Sequence, residues 1–272
     1  MNFLTPAEIS ESAVIIGTKK ANLSAVNQFV LGILAGAFIA FGAQASTMAS
    51  HTISDIATAK LIGGLIFPAG LMMVLMAGAE LFTGNSLMII PLIERKITFS
   101  QLLRSWVVVY LGNFAGSVFV AYLISLSGQL NYTGGLLGAS VIKTAAGKVS
   151  LTFTQAFVMG VLCNWLVCLA VWMSFGAKDG ISKAVCVFFP IWLFVASGFE
   201  HSIANMYYIP AGILAKCNET YAGKAIELGV SLDALNWQAM FTRNLIPVTL
   251  GNILGGAGLV GCVYWLVYRR SH

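Results

Sequence analysis

The residues able to do chemistry in this chain are few, and they sit in an unusual medium. Ser197-Gly198-Phe199-Glu200-His201-Ser202-Ile203-Ala204-Asn205 places a carboxylate, an imidazole and an amide inside an apolar run from about 184 to 214. Such groups are costly at bilayer depth, so they should face a protein interior or an aqueous path rather than lipid. The imidazole could donate a hydrogen bond or exchange a proton near neutral pH.

A second stretch has the same pattern. Gly78-Ala79-Glu80-Leu81-Phe82-Thr83-Gly84-Asn85 and Gly198-Phe199-Glu200-His201-Ser202-Ile203-Ala204-Asn205 both read G-x-E-x-x-x-x-N. Likewise Leu111-Gly112-Asn113-Phe114-Ala115-Gly116 and Leu250-Gly251-Asn252-Ile253-Leu254-Gly255 both read L-G-N-x-x-G. The preserved order implies two copies of one unit, at about 25–127 and 152–268. Each copy holds three apolar segments, an odd number, so the second enters the membrane from the opposite side. Glycine tolerates non-helical dihedrals, and the two G-x-E stretches predict helices broken near the midplane. Two such breaks facing each other would build a central site, with half-helix N-termini favouring an anion. The small residues of L-G-N-x-x-G let the third and sixth helices approach closely. Glu80 and Glu200, with Gly78, Gly84 and Gly198, are read as structural: the carboxylates accept backbone hydrogen bonds and hold the breaks.

The elements that carry these motifs are membrane spans. Of 272 residues, 58% are hydrophobic and 9% charged, with a mean hydropathy of +0.85, whereas a soluble domain is about 25% charged. Apolar segments at roughly 25–46, 59–92, 104–127, 152–175, 184–214 and 240–268 meet the requirement of about 20 residues for a span. The expected fold is an all-α integral membrane protein with six transmembrane helices, the second and fifth broken. The net charge of +5 is scattered, with no basic run longer than two; it argues topology, not nucleic-acid binding. With the N-terminus inside, nine Lys and Arg fall on inner loops and six on outer ones, which favours both termini in the cytoplasm.

Residues 1–24 lack a charged region ahead of an apolar core, so no cleaved signal peptide is expected. Thr5-Pro6-Ala7-Glu8 reads as a capped helix start. Ile9, Ala13 and Ile16 then give the helix an apolar face, suited to lying on the membrane surface or to acting as a cytosolic lid or oligomer contact. It has no histidine, so proton sensing would fall to Glu8, Glu11 or His201. Residues 269–272 form a short tail. Cys163, Cys168, Cys186, Cys217 and Cys262 have no C-x-x-C spacing and give no disulfide framework, metal site or cofactor site.

Five motifs together resemble the formate/nitrite transporter family: the G-x-E stretch at 78–85, Tyr110-Leu111-Gly112-Asn113, Cys163-Asn164-Trp165-Leu166-Val167-Cys168-Leu169-Ala170, Ser197 through Met206, and Asn244 through Asn252. The resemblance spans nearly the whole chain. It implies an aquaporin-like fold, a homopentamer and one conduction path per protomer. By the same resemblance, His201 meets substrate at the centre of the path and Thr83 hydrogen-bonds near it. Asn205 and Asn252 correspond to a pair of interior asparagines. Phe67 and Leu71 correspond to an inner apolar constriction, and Phe194 to an outer one with Phe82 as its neighbour. Lys148 corresponds to a lysine of the outer vestibule, and Lys20 to its inner counterpart. Without the resemblance, the apolar residues would read as helix packing and Lys148 as a solvated loop charge.

Other classes fit less well. Of His51, His201 and His272, only His201 lies within a span, so bis-histidine haem ligation and a multi-histidine metal site are unsupported, and no enzyme is expected. A neutral-solute pore suits the fold, yet its Asn-Pro-Ala signatures are absent. A scaffold would not explain matched polar breaks. What remains is a channel or transporter for a small monovalent weak-acid anion: formate, nitrite or hydrosulfide. Met206-Tyr207-Tyr208-Ile209-Pro210-Ala211-Gly212-Ile213 resembles the formate branch. Two mechanisms stay open. Either His201 protonates or hydrogen-bonds the anion so that a neutral acid crosses the constrictions, or an imidazolium stabilises a passing ion.

Overall fold

The computed structural model describes residues 3–270; Met1 and Asn2, and Ser271 and His272 of the expected tail, lie outside the described residues. In chain order the helices are α1 (Pro6–Ala21), α2 (Ala25–Ser50), α3 (Ile56–Gly78), α4 (Gly84–Ile93), α5 (Phe99–Leu126), α6 (Leu136–Val149), α7 (Phe153–Gly176), α8 (Gly180–Ala196), α9 (Ser202–Ala215), α10 (Glu219–Glu227) and α11 (Trp237–Tyr268). Among the described residues, α2, α3, α5, α7 and α11 are long and apolar enough to cross a membrane, and α4 and α8 are shorter apolar helices. The second and fifth apolar stretches are indeed the interrupted ones, as α3 gives way to α4 and α8 to α9.

Each interruption has a local cause. Gly78 and Gly198 adopt φ of +85° and +72°, a left-handed backbone that a Cβ would strain. Gly84 does not share this role. It lies outside the left-handed residues and opens α4, because the chain has already turned at Gly78 and runs extended through Ala79 (φ −136°, ψ 166°).

The glycines of L-G-N-x-x-G work within each half. A Cβ on Gly116 of α5 would strike the Ile33 carbonyl of α2, and one on Gly36 of α2 would strike the Asn113 carbonyl of α5. In the same way, Gly251 and Gly255 of α11 abut the Phe157 and Val161 carbonyls of α7. Backbones approach this closely only where side chains are missing.

Hydropathy passes over α6, yet it is built into the core. Leu137, Ile142, Ala145 and Val149 are buried, and its Ala145 meets Gly212 of α9. At the other end of the bundle, α1 docks on protein rather than lying free. Ile9, Ala13 and Val14 share a buried cluster with Val171 and Trp172 of α7, and the Leu4 N–H donates to the Gly176 carbonyl at 2.9 Å.

The capping box that starts α1 is formed. The Thr5 N–H donates to the Glu8 carboxylate at 2.7 Å, and the Glu8 N–H donates to Thr5 Oγ1 at 3.4 Å. The donors on Thr5, its backbone N–H first, hold the Glu8 carboxyl below its ordinary value. A depressed carboxylate pKa stabilises the fold above the ordinary value, and that contribution is lost as pH falls through the lowered one. Thr5→Ala should therefore raise amide hydrogen exchange in the first turns of α1 about fivefold, the effect of a lost cap worth ~1 kcal/mol. Glu8→Gln should remove the acid dependence of that exchange. Exchange in both variants equal to wild type at every pH would contradict the assignment.

Candidate functional site

The two breaks are held by the same set of bonds. At the first, the Glu80 N–H donates to the Leu31 carbonyl of α2 at 3.2 Å. Asn113 of α5 accepts the Phe82 N–H at 3.0 Å and donates to the Gly32 and Glu80 carbonyls at 2.8 and 2.9 Å. At the second, the Glu200 N–H donates to the Met159 carbonyl of α7 at 3.3 Å. Asn252 of α11 accepts the Ser202 N–H at 2.9 Å and donates to the Gly160 and Glu200 carbonyls at 2.8 and 3.1 Å. Backbone freed from helix inside a bilayer must find partners, and one asparagine per break supplies both a donor and an acceptor.

The carboxylates, contrary to expectation, do not accept from backbone, since those N–H groups are already taken. Glu80 pairs with Lys20 of α1 at 3.0 Å and accepts from Asn85 at 2.8 Å. Glu200 pairs with Lys148 of α6 at 2.8 Å and accepts from Asn205 and Asn244 at 2.6 and 3.1 Å. Both glutamates are buried. A buried charge is tolerated when paired and hydrogen-bonded in this way.

Between the breaks stands His201, buried, as the N-cap of α9. Its Nδ1 accepts the Ala204 N–H at 3.1 Å, and its Nε2 lies 2.9 Å from Thr83 Oγ1 across the molecule. An accepting Nδ1 carries no proton, so Nε2 bears the ring hydrogen and donates it to Thr83. Asn164 of α7 braces this side: its Nδ2 reaches the Thr83 carbonyl at 3.2 Å and the Asn252 carbonyl at 2.7 Å.

A series of cavities runs through this point. On the Lys148 side, a cavity of about 110 Å³ is bounded by Phe67, Phe194 and His201. Next comes a chamber of about 10 Å³, walled by Phe67, Phe194, His201, Leu71 and Leu81. That volume holds about one water-sized sphere. On the Lys20 side, Leu71 and Leu81 also bound a cavity of about 30 Å³ that α1 covers with Ala13, Gly17 and Lys20.

Comparison with known proteins agrees with this geometry. The family model described as formate/nitrite transporter matches residues 7–266. The chain belongs to the formate/nitrite transporter family. It is 41% identical to formate channel FocA of Haemophilus influenzae over 276 residues, covering 99% of this chain and 96% of the relative. Against formate channel FocA of Escherichia coli K12 the identity is 40% over 278 residues, covering 100% and 96%. A solved structure titled pentameric formate channel with formate bound superposes with a TM-score of 0.82 at 39% identity, covering 90% of this chain and 97% of that one. This is a family of channels and transporters, not of enzymes.

Within this formate/nitrite transporter chain, the expected residues fall into three groups. His201, Leu71, Phe67 and Phe194 line the chamber, and Thr83 joins them through its hydrogen bond to His201. Phe67, expected beside Leu71 at the inner constriction, instead meets Phe194 edge-on, with ring centres 5.5 Å apart. The reason is helical rise: it lies four residues before Leu71, about 6 Å nearer the Asp55 end of α3. Leu81 takes the vacated place beside Leu71. Phe82 turns away from the constriction, its ring against Tyr110 at 4.9 Å and Trp106 at 6.0 Å. Asn205, Asn252, Lys148 and Lys20 are engaged in holding the breaks. Sequence reasoning missed Leu81, Asn113, Asn164 and Asn244. Asn113 was available from the repeat, since it matches Asn252.

The Lys148–Glu200 pair gives a direct test. Glu200→Gln strands an ammonium whose side chain is 14% exposed, at a cost of about 3 kcal/mol. The denaturation midpoint of the purified protein should fall, and Lys148→Met combined with Glu200→Gln should recover most of the loss. A single variant melting like wild type would contradict the role.

Proposed function

We propose that this protein passes a small monovalent weak-acid anion, formate foremost and nitrite or hydrosulfide as alternatives, through a path in each protomer of a homopentamer. The observation that carries this reading is His201, hydrogen-bonded to Thr83, in a chamber walled by Phe67 and Phe194 toward Lys148 and by Leu71 and Leu81 toward Lys20. The spans run through the cytoplasmic membrane, in contact with its lipid, and both termini are cytoplasmic. Lys148 then marks the outer side and Lys20 the inner. The architecture is six spans in two inverted, aquaporin-like repeats. The matched bonding of Asn113 with Asn252 and of Glu80 with Glu200 supports the repeat. So does the placement of Lys20 on α1 and Lys148 on α6, which extends the repeat unit to include those two helices.

An anion entering the chamber loses its water shell between apolar walls, whereas the neutral acid loses far less. His201 eases this passage by turning the Thr83 hydroxyl into a hydrogen-bond donor for substrate rather than as a source of protons. Its Nδ1 is held by the Ala204 N–H, and releasing the Nε2 hydrogen would leave an imidazolate in an apolar cavity. The proton that neutralises the anion therefore comes from hydronium in the aqueous vestibule, before the acid enters the chamber. Once Thr83 Oγ1 accepts from Nε2, its own hydrogen is free to turn toward a substrate oxygen.

Uptake of formate, nitrite and hydrosulfide into proteoliposomes tests the reading. Formate should be carried fastest, rising about tenfold for each unit of falling external pH, as the neutral-acid fraction does. His201→Asn keeps a cap for α9 and an N–H donor, so it should be slower with the same pH slope. His201→Phe should lose at least about tenfold in rate, the scale of one missing buried hydrogen bond. Formate flux independent of pH, or unchanged in His201→Phe, would overturn the mechanism.

A further inference from the structure

Lys148 is held by its neighbours: its Nζ is 2.8 Å from Glu200 and 5.1 Å from the centre of the Tyr208 ring. Lys20, at the other end, is paired with Glu80 at 3.0 Å. Neither offers an uncompensated charge to an arriving anion. On the Lys148 side a third cation is placed differently. Lys60, near the start of α3, is exposed, and its Nζ reaches the turn before the second break, where a Cβ built on Gly198 would lie 3.3 Å from it. Among the described residues no carboxylate pairs with it.

Its surroundings are those of an anion antechamber. Lys60 lines both an outer cavity of about 470 Å³ and the narrower one of about 110 Å³ that ends at Phe67, Phe194 and His201. Lys60, Lys143 and Lys148 face the larger cavity against Glu200 alone. His51 also borders it, with its ring nitrogens engaged by the Met48 carbonyl at 2.7 Å and Thr133 Oγ1 at 2.9 Å. The absence of a side chain at Gly198, fixed by its left-handed backbone, keeps the approach to the Lys60 ammonium open.

We propose that Lys60 forms the anion-capture site of the outer mouth, binding the carboxylate of formate through its ammonium ahead of the Phe67–Phe194 constriction, while Lys148 acts as the strut of Glu200. This inference rests on the anion-passing reading above. A cation without a counter-ion at a narrowing cavity raises the local anion concentration and steers capture. It acts on loading of the path and leaves the barrier at His201 unchanged.

The test is formate uptake in proteoliposomes holding the protein in one orientation, for wild type, Lys60→Gln, Lys60→Arg and Lys143→Gln. At low salt, Lys60→Gln should raise the apparent KM for formate on the Lys60 side about fivefold, the effect of one unit charge at contact distance in water. Maximal flux and the KM from the opposite side should stay at wild-type values, and Lys60→Arg should restore the KM. At about 0.5 M salt, where screening shortens to roughly 4 Å, the difference should disappear. An unchanged KM in Lys60→Gln, a shift that persists at high salt, or an equal shift in Lys143→Gln would overturn the site. Wild-type protein that carries no formate would instead overturn the reading on which the site rests.

Discussion

A carboxylate fixed within a bilayer must find its counter-charge where it sits, and this protein faces that requirement twice. Glu80 and Glu200 each stand at the point where a helix stops and its backbone needs new partners. The answer is the same both times: a lysine and asparagine amides for the carboxylate, and one asparagine from a packed helix for the freed backbone. Removing water makes each of these interactions stronger when satisfied and costlier when not. The rest of the architecture follows from meeting both demands together.

The lysines come from α1 and α6, neither of which is apolar enough to count among the membrane-span helices. They are struts reaching in from either side, which accounts for their close docking. The asparagines come from α5 and α11, which can reach the breaks only because glycines bring them against α2 and α7. With both breaks fixed, His201 and Thr83 meet from opposite halves of the chain across 118 positions of sequence. The imidazole is then oriented by the backbone of the helix it caps. Rigidity, hydrogen-bond direction and the narrowness of the chamber thus have one origin.

Much of this was legible in the sequence because the repeat wrote each motif twice. The two broken stretches and their glycines can be read from paired motifs, and the meeting of His201 with Thr83 is what the family resemblance implies. Other features escaped for physical reasons. Gly84 looked like a hinge because composition cannot tell which of two nearby glycines takes the left-handed backbone. Phe67 lies on the Lys148 side of the chamber against Phe194, a position the sequence leaves open because the resemblance gives no register for the helix that begins after Asp55. Phe82 was misplaced because its orientation is set by Asn113 holding its backbone N–H. Hydropathy passes over α6 because it is only 14 residues long and its apolar face alternates with polar residues that include Lys143 and Lys148. That Glu80 and Glu200 would take lysines rather than backbone donors depends on contacts 60 and 52 residues distant.

The account's central claim is that the fold presents His201 to the path as a neutral ring with hydrogen on Nε2 and Nδ1 bound to the backbone. ¹⁵N NMR of labelled histidine in the membrane-embedded protein at pH 7, with His201→Asn identifying the signal, measures this directly. The predicted result is one protonated and one bare ring nitrogen, the bare one being Nδ1 in contact with the Ala204 amide. A ring protonated at both nitrogens, or one with hydrogen on Nδ1, would contradict the account.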